Sequence, residues 1–558
     1  MTKSFVTILA LLGICASTDA KVSQYDKYGG WTGIRSKSTG FFRTETIDGV
    51  WWLIDPEGNA FISKGVNNVS FTADNIPSLG YSPYGRITSQ KYGNIQTWAK
   101  ASVQRLKDWN FNTIGSWSNS ETFDKGMPYT LILGIGASAG GSWLKGSFPD
   151  VFSKNFQNAA YNIAKRSCAP RKNDAFLLGY FIDNELRWGP DWRSSNTLFD
   201  DFLAMPEDSA GKKALVKMLK DLYHDIDKLN SVWHTNLSSF EDLLTVKKLS
   251  NLGKDMASVR SELTEGAHLR TTLPKELAIT YLNQIYGSLD KVNEAFNTEA
   301  KSYDELLTPQ FLSRITAEIS NRKLPREFVI MGLEMVYGNL DKMNEVFNTN
   351  AKSYDELLDK LFAPQSLSPV AVEIKKVQSK FLKIVAEQYF KVCQTSIRKF
   401  DQNHLILGCR FAGYAPMEVV EGMRDYVDLV SYNNYSKLPP KDQLERLYKI
   451  VEKPIMITEF SFKAMDSGLP NTKGAGAPVE TQKDRADNFA KYVEAFLKMP
   501  FAVGYHWFEH TDEPAEGRFD GENSNYGLVN IKDEPWQILV EKMTEINSHA
   551  ERIHANNP

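Results

Sequence analysis

The feature that most constrains the fold is a unit that recurs along the chain: a short, strongly apolar strand that ends in polar or aromatic residues and is followed by a helical stretch. Eight such strands are predicted, at 61–68, 112–117, 129–136, 176–185, 404–411, 427–432, 454–459 and 502–508. Helical patterns fit between several of them, at 97–109, 151–166, 441–451 and 481–497. Strands that alternate with helices and are buried on both faces favour a parallel sheet, and eight of them favour a closed barrel. A doubly wound open sheet is an alternative that strand counting alone does not exclude.

The predicted fold class is therefore α/β, a (β/α)₈ TIM barrel with an N-terminal β-meander and a large helical insertion between strands 4 and 5. The meander is indicated by alternating apolar and polar residues between turn sequences at 48–49 and 55–59. The chain is predicted to divide into a signal peptide at 1–20, the β-meander at 21–62, barrel strands 1–4 at 63–200, a helical insert at 201–375 and barrel strands 5–8 at 376–558. A length of 558 residues suits one large domain with an insertion.

The predicted insert contains an internal repeat. The segment 286–298, YGSLDKVNEAFNT, returns at 337–349 as YGNLDKMNEVFNT, and both copies continue into AKSYDELL. A weaker copy begins at Tyr223, with its aspartate, asparagine, tryptophan and threonine in register. The spacings between copies are unequal, which indicates local duplication within an insertion and not a regular solenoid. We expect 243–358 to form helical hairpins that wall one side of the barrel mouth or mediate assembly, without supplying a catalytic carboxylate.

The first twenty residues have the pattern of an export signal, with Lys3, an apolar run at 5–16 and small residues at 18–20. That run is too short to cross a bilayer, and no other stretch approaches the ~20 apolar residues that a membrane helix needs. We therefore expect a secreted or extracytoplasmic protein with no membrane partner. The net charge of −3 does not provide the excess of positive charge that is typical of nucleic-acid-binding proteins. The oligomeric state stays open.

Two of the predicted strands end in a carboxylate. The fourth runs through Asn184 to Glu185, and the seventh ends at Glu459. Active sites of barrels lie at the carboxyl ends of the strands. Cleavage of a glycosidic bond needs one carboxyl group that protonates the leaving oxygen and a second that attacks or stabilises an oxocarbenium-like centre. A salt bridge with Arg187 or Arg410 is the structural alternative for either glutamate alone, but their joint placement on strands four and seven favours a catalytic pair.

Other chemistries leave weaker traces in the sequence. Residues 134–139 match a dinucleotide-binding fingerprint, but no clear helix follows to receive a pyrophosphate, so we interpret them as a turn-forming loop. The eight histidines form no metal-binding motif, and 512–525 does not have the spacing of a calcium loop. We therefore predict neither a metal nor a cofactor.

With these residues in view, the sequence resembles the clan of retaining barrel glycosidases that have an Asn-Glu acid/base on the fourth strand and a glutamate nucleophile on the seventh. Within that clan it is most similar to the β-agarase group, glycoside hydrolase family 50, with the barrel β-galactosidases as neighbours. Three stretches carry the likeness: IDGVWWLIDPEG at 47–58 leading into SKGVN at 63–67, GYFIDNE at 179–185, and 504–527, which opens with GYHWF and closes with GRFDGENSNYG. The weaker pattern LNSVWHT at 229–235 is similar to a β-galactosidase segment. The repeats have no counterpart in the likeness.

The resemblance implies a role for individual residues. Glu185 would be the acid/base, Glu459 the nucleophile, and Asn184 a partner of the sugar 2-hydroxyl. Tyr432 would orient Glu459, and Trp507 would form the floor under the reacting sugar. Further contacts with substrate are expected from Asn67, Trp117, Arg410, Asn433, His506, Glu509, Arg518, Asp520 and Asn523.

The implied function is that of a secreted retaining glycoside hydrolase, with a β-linked galactose-containing poly- or oligosaccharide as its carbohydrate partner. One alternative is a retaining glycosidase that acts on β-glucan, β-mannan or short β-galactosides. Another is a catalytically inactive barrel that binds glycans through an aromatic cleft. Two buried carboxylates are costly and give a pure binding protein no advantage, which favours an enzyme.

Overall fold

The computed structural model describes residues 24–264, 289–308, 339–347, 349–361 and 367–556, together with 278–279, 282, 311–312, 330, 333–334 and 337. The predicted signal peptide at 1–20 lies outside the described residues, so export stays a prediction. In the part of the chain that is described, no helix is long and apolar enough to cross a membrane. Cys168, Cys393 and Cys409 are buried and form no disulfide.

The chain begins with a four-stranded antiparallel sheet. Its strands are β1 Trp31–Arg35, β2 Arg43–Ile47, β3 Val50–Ile54 and β4 Asn59–Phe61, in the spatial order β1-β4-β3-β2. β2, β3 and β4 form the predicted meander. β1 precedes the alternating segment from which the meander was predicted, and it pairs antiparallel with β4 at the edge of the sheet.

The centre of the molecule is a nine-stranded parallel sheet that curls in the manner of a TIM barrel. Its strands are β5 Ser63–Val66, β6 Thr113–Ile114, β7 Tyr129–Ile132, β8 Leu177–Phe181, β9 Leu405–Ile406, β10 Phe411–Ala412, β11 Val430–Asn433, β12 Ile455–Phe460 and β15 Ala502–Trp507. The spatial order is β10-β11-β12-β15-β5-β6-β7-β8-β9. Strands β13 Phe462–Ala464 and β14 Ala477–Val479 form a separate parallel pair. The predicted α/β class and barrel-like sheet are confirmed.

Nine strands replace the predicted eight because the fifth is split into β9 and β10. The residues between the two pieces bind both neighbouring strands. Leu407 N donates to Tyr180 O of β8 over 2.8 Å, and Arg410 N donates to Ser431 Oγ of β11 over 2.8 Å. The split follows from the backbone, since Gly408 has φ 82° and Arg410 has φ 51°, both in the left-handed region that interrupts a strand.

The antiparallel sheet covers the amino end of the barrel. Leu53 and Phe61 of this sheet belong to one buried cluster with Leu178, Leu429 and Met456 of the barrel strands. Burial of these apolar side chains stabilises the contact by the hydrophobic effect. The carboxyl end of the barrel is left for the functional site, as in other barrels.

Helices surround the sheet and fill the segment between β8 and β9. Those around the sheet are Pro83–Tyr92, Ile95–Asp108, Ile135–Ser138, Lys154–Ser167, Met417–Met423, Lys441–Val451, Gln482–Leu497, Gln537–Asn547 and Ala550–Ala555. Those between β8 and β9 include Leu198–Ala204, Ala210–Tyr223, Ile226–Trp233, Lys254–Thr264, Leu289–Phe296, Tyr303–Leu306, Leu340–Phe347, Tyr354–Leu361 and the long Pro369–Phe400. Short 3₁₀ turns lie at Ser120–Thr122, Ala169–Arg171, Phe240–Leu244 and Leu249–Leu252.

The repeat copies share one hydrogen-bond pattern. Asn230, Asn293 and Asn344 each accept a bond from the threonine five residues later, over 2.8, 2.7 and 2.6 Å. Each also donates to the backbone carbonyl seven residues later, over 2.9, 2.8 and 2.9 Å. The same asparagine therefore closes the same turn after a helix in all three copies, including the weak one that begins at Tyr223.

Candidate active site

Glu185 and Glu459 line the same cavity at the carboxyl end of the barrel, which has a volume of about 1660 Å³. Glu185 lies just beyond the end of β8, and Glu459 lies near the end of β12. The backbone N–H of Glu185 donates to Arg410 O over 3.0 Å, which fixes this strand end to the neighbouring one. The parallel sheet thus brings together two glutamates that are far apart in the sequence.

Two N–H donors hold the carboxylate of Glu185. Trp143 Nε1 donates to its Oε2 over 2.8 Å, and Asn433 Nδ2 donates to its Oε1 over 2.9 Å. The same Asn433 amide contacts Asn184 Oδ1 at 3.2 Å. Both oxygens of Glu185 are therefore oriented by the protein before any ligand binds.

Glu459 is almost fully buried, with 4% of its surface exposed. The hydroxyl of Tyr435 donates to its Oε2 over 2.5 Å, and Arg410 Nη2 lies 3.0 Å from its Oε1. Burial raises the pKa of Glu459 to about 7, and the negative charge of Glu185 adds to the increase. The positive charge of Arg410 and the bond from Tyr435 act in the opposite direction.

Arg410 lies beneath the cavity and is fully buried. Its Nη2 donates to Thr458 O over 2.8 Å, and its guanidinium carbon lies 4.3 Å from the ring centre of Trp117. Burial lowers the pKa of Arg410, while Glu459 and Glu185 oppose that decrease. A cation under an exposed aromatic ring and beside a carboxylate stabilises negative charge at Glu459.

A second group of charges surrounds Arg518 in the cavity wall. Its Nη2 lies 2.9 Å from carboxylate oxygens of both Asp520 and Glu522, and its Nη1 lies 3.2 Å from Glu513 and 3.7 Å from Glu509. Burial raises the pKa of Glu509, Glu513 and Glu522, and the charge of Arg518 opposes the increase. Within the described ranges, no group of histidine, cysteine, aspartate and glutamate side chains has an arrangement that could hold a metal ion.

Several residues predicted to contact substrate do reach the cavity. They are Trp117, Asn184, Asn433, Arg518 and Asp520. Trp117 is 41% exposed, so its ring is accessible to a ligand.

Other residues that were predicted to contact substrate form hydrogen bonds within the protein instead. Asn67 donates to Thr458 O over 2.9 Å and accepts from Ser116 N over 3.0 Å. The buried His506 ring bonds Ser63 Oγ over 2.8 Å, and burial lowers the pKa of His506 to about 3.

Glu509 and Asn523 also lie outside the cavity lining. Glu509 accepts a bond from the amide of Asn68 and pairs with Arg518. Asn523 Oδ1 accepts from the backbone N–H of Thr472 over 3.0 Å and of Lys473 over 3.2 Å. Asn523 therefore shapes a loop that lines the cavity without reaching it itself.

Two roles implied by the resemblance fall to neighbouring residues. The hydroxyl of Tyr432 donates to the backbone carbonyl of Gly413, and the hydroxyl that binds Glu459 belongs to Tyr435. Trp507 is fully buried, with its Nε1 donating to Tyr526 O over 2.8 Å, and the neighbouring Phe508 lines the cavity. Phe508 directly follows Trp507, and successive side chains of an extended segment point to opposite sides.

The sequence did not indicate two residues that hold Glu185 in place. Trp143 donates to its carboxylate, and Arg193 donates to the backbone carbonyls of both Trp143 and Glu185. Trp143 lies in the glycine-rich loop after β7, which the sequence presents only as a turn. That loop is held by Asp183, whose carboxylate accepts from Gly136 N over 2.7 Å and from Ala137 N over 3.3 Å. A tryptophan within a glycine-rich loop at a barrel mouth is the only signal that could have indicated this contact.

The insert also reaches the cavity. Ile279, Leu289 and Tyr303 lie in its lining, together with the barrel residues. Three described residues of the insert are thus part of the lining, and a wall formed by the whole insert stays a prediction.

A parallel barrel-like sheet that presents two glutamates to one cavity, at the ends of its fourth and seventh strand positions, has the arrangement of a barrel glycosidase. No protein-family model matches the chain. The chain is 26% identical to β-agarase B of Vibrio sp. (strain JT0107), over 93% of this chain and 49% of that protein. It is 25% identical to β-agarase A of the same organism, over 91% of this chain and 45% of that protein. The chain thus spans about half the length of these curated relatives.

Solved structures share the fold. One is an exo-β-agarase, with a TM-score of 0.66 and 22% identity over 95% of this chain and 68% of that one. Another is an agarase, with a TM-score of 0.63 and 22% identity over 96% of this chain and 68% of that one. The sequence resemblance is confirmed: the chain is a distant relative of the β-agarases of glycoside hydrolase family 50.

Proposed function

We propose that the protein is a retaining glycoside hydrolase that cleaves a β-linked galactose-containing poly- or oligosaccharide. The observation that carries the proposal is the pair Glu185 and Glu459 in one cavity at the carboxyl end of the barrel. The names of its relatives, β-agarases, support a galactan as substrate.

In the first step, the carboxylate of Glu459 attacks C1 of the sugar as the bond between C1 and the leaving oxygen breaks. Glu185 transfers its proton to that oxygen, so the leaving group departs as an alcohol. Tyr435 and Arg410 hold Glu459, which keeps its charge in place for the attack. The product of this step is a glycosyl ester on Glu459.

In the second step, water attacks C1 from the face that the leaving group vacated. Glu185, now a carboxylate, takes a proton from that water while the ester bond to Glu459 breaks. The bonds from Trp143 and Asn433 stabilise Glu185 in this ionised state. Two inversions at C1 give overall retention.

The aromatic lining supports a sugar as ligand. Trp117, Trp143 and Phe508 line the cavity around the two glutamates, and Trp192 and Phe519 line it with 49% and 61% of their surfaces exposed. Aromatic faces pack against the C–H faces of pyranose rings, while polar groups bind the hydroxyls.

The test is release of reducing sugar from a panel of agarose, other galactans, cellulose and mannan. We expect the galactose-containing substrates to be cleaved faster, and we expect Glu459→Gln to abolish cleavage of all of them. Equal rates on gluco- and galacto-configured substrates would remove the preference for galactans. Binding without any release would instead identify a glycan-binding barrel.

We also propose that the protein acts outside the cytosol. The sequence at 1–20 supports this location, and a polysaccharide substrate is too large to enter a cell intact. Finding the protein in culture medium, with its amino terminus starting near residue 21, would support export. Retention in the cytosol with residues 1–20 intact would contradict it.

A further inference from the structure

We infer that Ile279, Leu289 and Tyr303 form a distal sugar-binding surface, here called the insert platform, that binds an uncharged chain of several sugar rings. These three side chains line the substrate cavity but belong to the duplicated insert and not to the barrel. The inference rests on the proposed function, because it concerns how the same cavity holds a longer substrate.

The two close copies of the repeat use equivalent residues differently. Leu340 and Tyr354 of the second copy correspond to Leu289 and Tyr303 of the first, and they are buried there with only 7% and 3% of their surfaces exposed. In the first copy both residues are only partly buried and line the cavity. Exposure at these two positions is therefore not a requirement of the repeat itself.

The first copy has a buried core beside the platform. Val292, Phe296 and Leu306, on the same two helices, are buried with 0%, 9% and 4% exposure, and the platform residues pack against the edge of this cluster. The helices thus keep one face for their own core and direct another towards the cavity.

The size of the cavity indicates a ligand of several rings. A volume of about 1660 Å³ exceeds the roughly 300–1,000 Å³ that is usual for small-molecule sites. A leucine, an isoleucine and a tyrosine provide apolar area for the C–H face of a sugar ring. Ser195, in the same lining, can bind a hydroxyl of the ring.

The charge of the lining indicates which galactans fit. Acidic residues outnumber basic ones: Asp74, Asp183, Glu185, Asp191, Glu459, Asp520 and Glu522 against Lys463, Lys473 and Arg518, and they still do when Arg193, paired with Asp191, and Arg410, paired with Glu459, are added. Sulfated or carboxylated chains would bring like charges close to these carboxylates, which costs free energy. The cavity is therefore suited to a neutral chain and disfavours an anionic one.

The experiment compares Tyr303→Ala with the unmodified enzyme on neutral agaro-oligosaccharides of four and ten sugar units. We expect kcat/KM for the longer substrate to fall roughly fivefold more than for the shorter one, which corresponds to the loss of one aromatic contact. Leu289→Ala should lower the ratio of kcat/KM for the longer substrate to that for the shorter one in the same direction. This second variant tests the inference if Tyr303→Ala folds poorly. Val346→Ala is the control, since Val346 lies in the second copy, is 47% exposed and is absent from the cavity lining.

An unchanged ratio of long to short substrate in both platform variants would overturn the inference. Calorimetric binding of the ten-unit chain separates the two proposals. Weaker binding by Tyr303→Ala, without turnover by the unmodified protein, would support the platform and contradict the proposed hydrolase. Equal kcat/KM for sulfated and neutral chains of the same length would contradict the preference for an uncharged substrate.

Discussion

The indole N–H of Trp143 donates to Oε2 of Glu185 over 2.8 Å. Arg193 stabilises this contact, because its Nη1 donates to the backbone carbonyls of both Trp143 and Glu185 over 3.0 Å. Arg193 is itself held by Asp191, 2.9 Å from its Nε. Trp143 is therefore a positioning residue for the proposed acid/base, and it comes from a loop of the third strand position and not from the strand that carries Glu185.

Trp143→Phe keeps an aromatic ring but removes the donor. A hydrogen bond to a charged group contributes roughly 1.5–3 kcal/mol, and here it favours the ionised acid/base. Without it, the carboxylate that forms when Glu185 gives up its proton loses one of its two N–H donors. We therefore expect kcat/KM on an oligosaccharide to fall roughly tenfold. Trp536→Phe is the matched control, because Trp536 Nε1 donates to Asp512 over 2.8 Å, outside the cavity lining. A kcat/KM of Trp143→Phe equal to that of the unmodified enzyme would show that the bond has no catalytic effect.

Tyr435→Phe tests the assignment of the residue that holds the nucleophile. The pKa of Glu459 is raised to about 7 by burial, and the bond from Tyr435 counteracts part of that increase. Removing the hydroxyl should raise the pKa further. Since Glu459 must be ionised to attack, the acidic limb of kcat/KM, near pH 7 in the unmodified enzyme, should move upward by about one unit.

Tyr432→Phe is the comparison for this prediction. The hydroxyl of Tyr432 bonds Gly413, so its removal should leave the acidic limb in place. A shift with Tyr432→Phe and none with Tyr435→Phe would restore the role that the family resemblance implied.

Arg518→Met tests the charge network in the cavity wall. Removing one partner of a buried ionic network costs roughly 3–5 kcal/mol, because the remaining charges lose their compensation. The pKa values of Glu509, Glu513 and Glu522 are already raised by burial, and Arg518 opposes the increase, so they should rise further in the variant. Groups with raised folded-state pKa values destabilise the fold as pH rises above their unfolded values. The decrease in Tm should therefore be large at pH 8 and smaller at pH 5; an equal decrease at both would indicate lost packing instead.

The sequence predicts the strands that carry the two glutamates because each is an unbroken apolar run that ends in a carboxylate. Strands β8 and β12 are buried along their whole length, which is the property that the apolar runs reflect. The helix predicted at 441–451 is found at Lys441–Val451. The helix predicted from 481 begins one residue later because Thr481 is its N-cap and accepts from Asp484 N.

Details that depend on backbone conformation or side-chain direction could not be predicted from apolar runs or capping residues. The split of the fifth strand rests on positive φ values at Gly408 and Arg410, and an arginine gives no warning of such a conformation. That Tyr432 does not bind Glu459 could have been anticipated. Asn433 faces Glu185, so the side chain of Tyr432, the preceding residue of β11, must face away from the site. The contact of Trp143 with Glu185 is formed between two different strand ends, so no local pattern contains it.

The most direct test of the central claim is covalent trapping of Glu459. A 2-deoxy-2-fluoro-β-galactoside with an activated leaving group slows both steps by destabilising the oxocarbenium-like transition state, while the good leaving group lets the first step proceed, so a glycosyl-enzyme accumulates. Intact-mass measurement followed by peptide mapping should show one fluorosugar attached to Glu459, with matching loss of activity and no label on Glu459→Gln. A label on another residue, or an unlabelled enzyme that releases the inverted anomer from a natural β-linked substrate, would contradict the account.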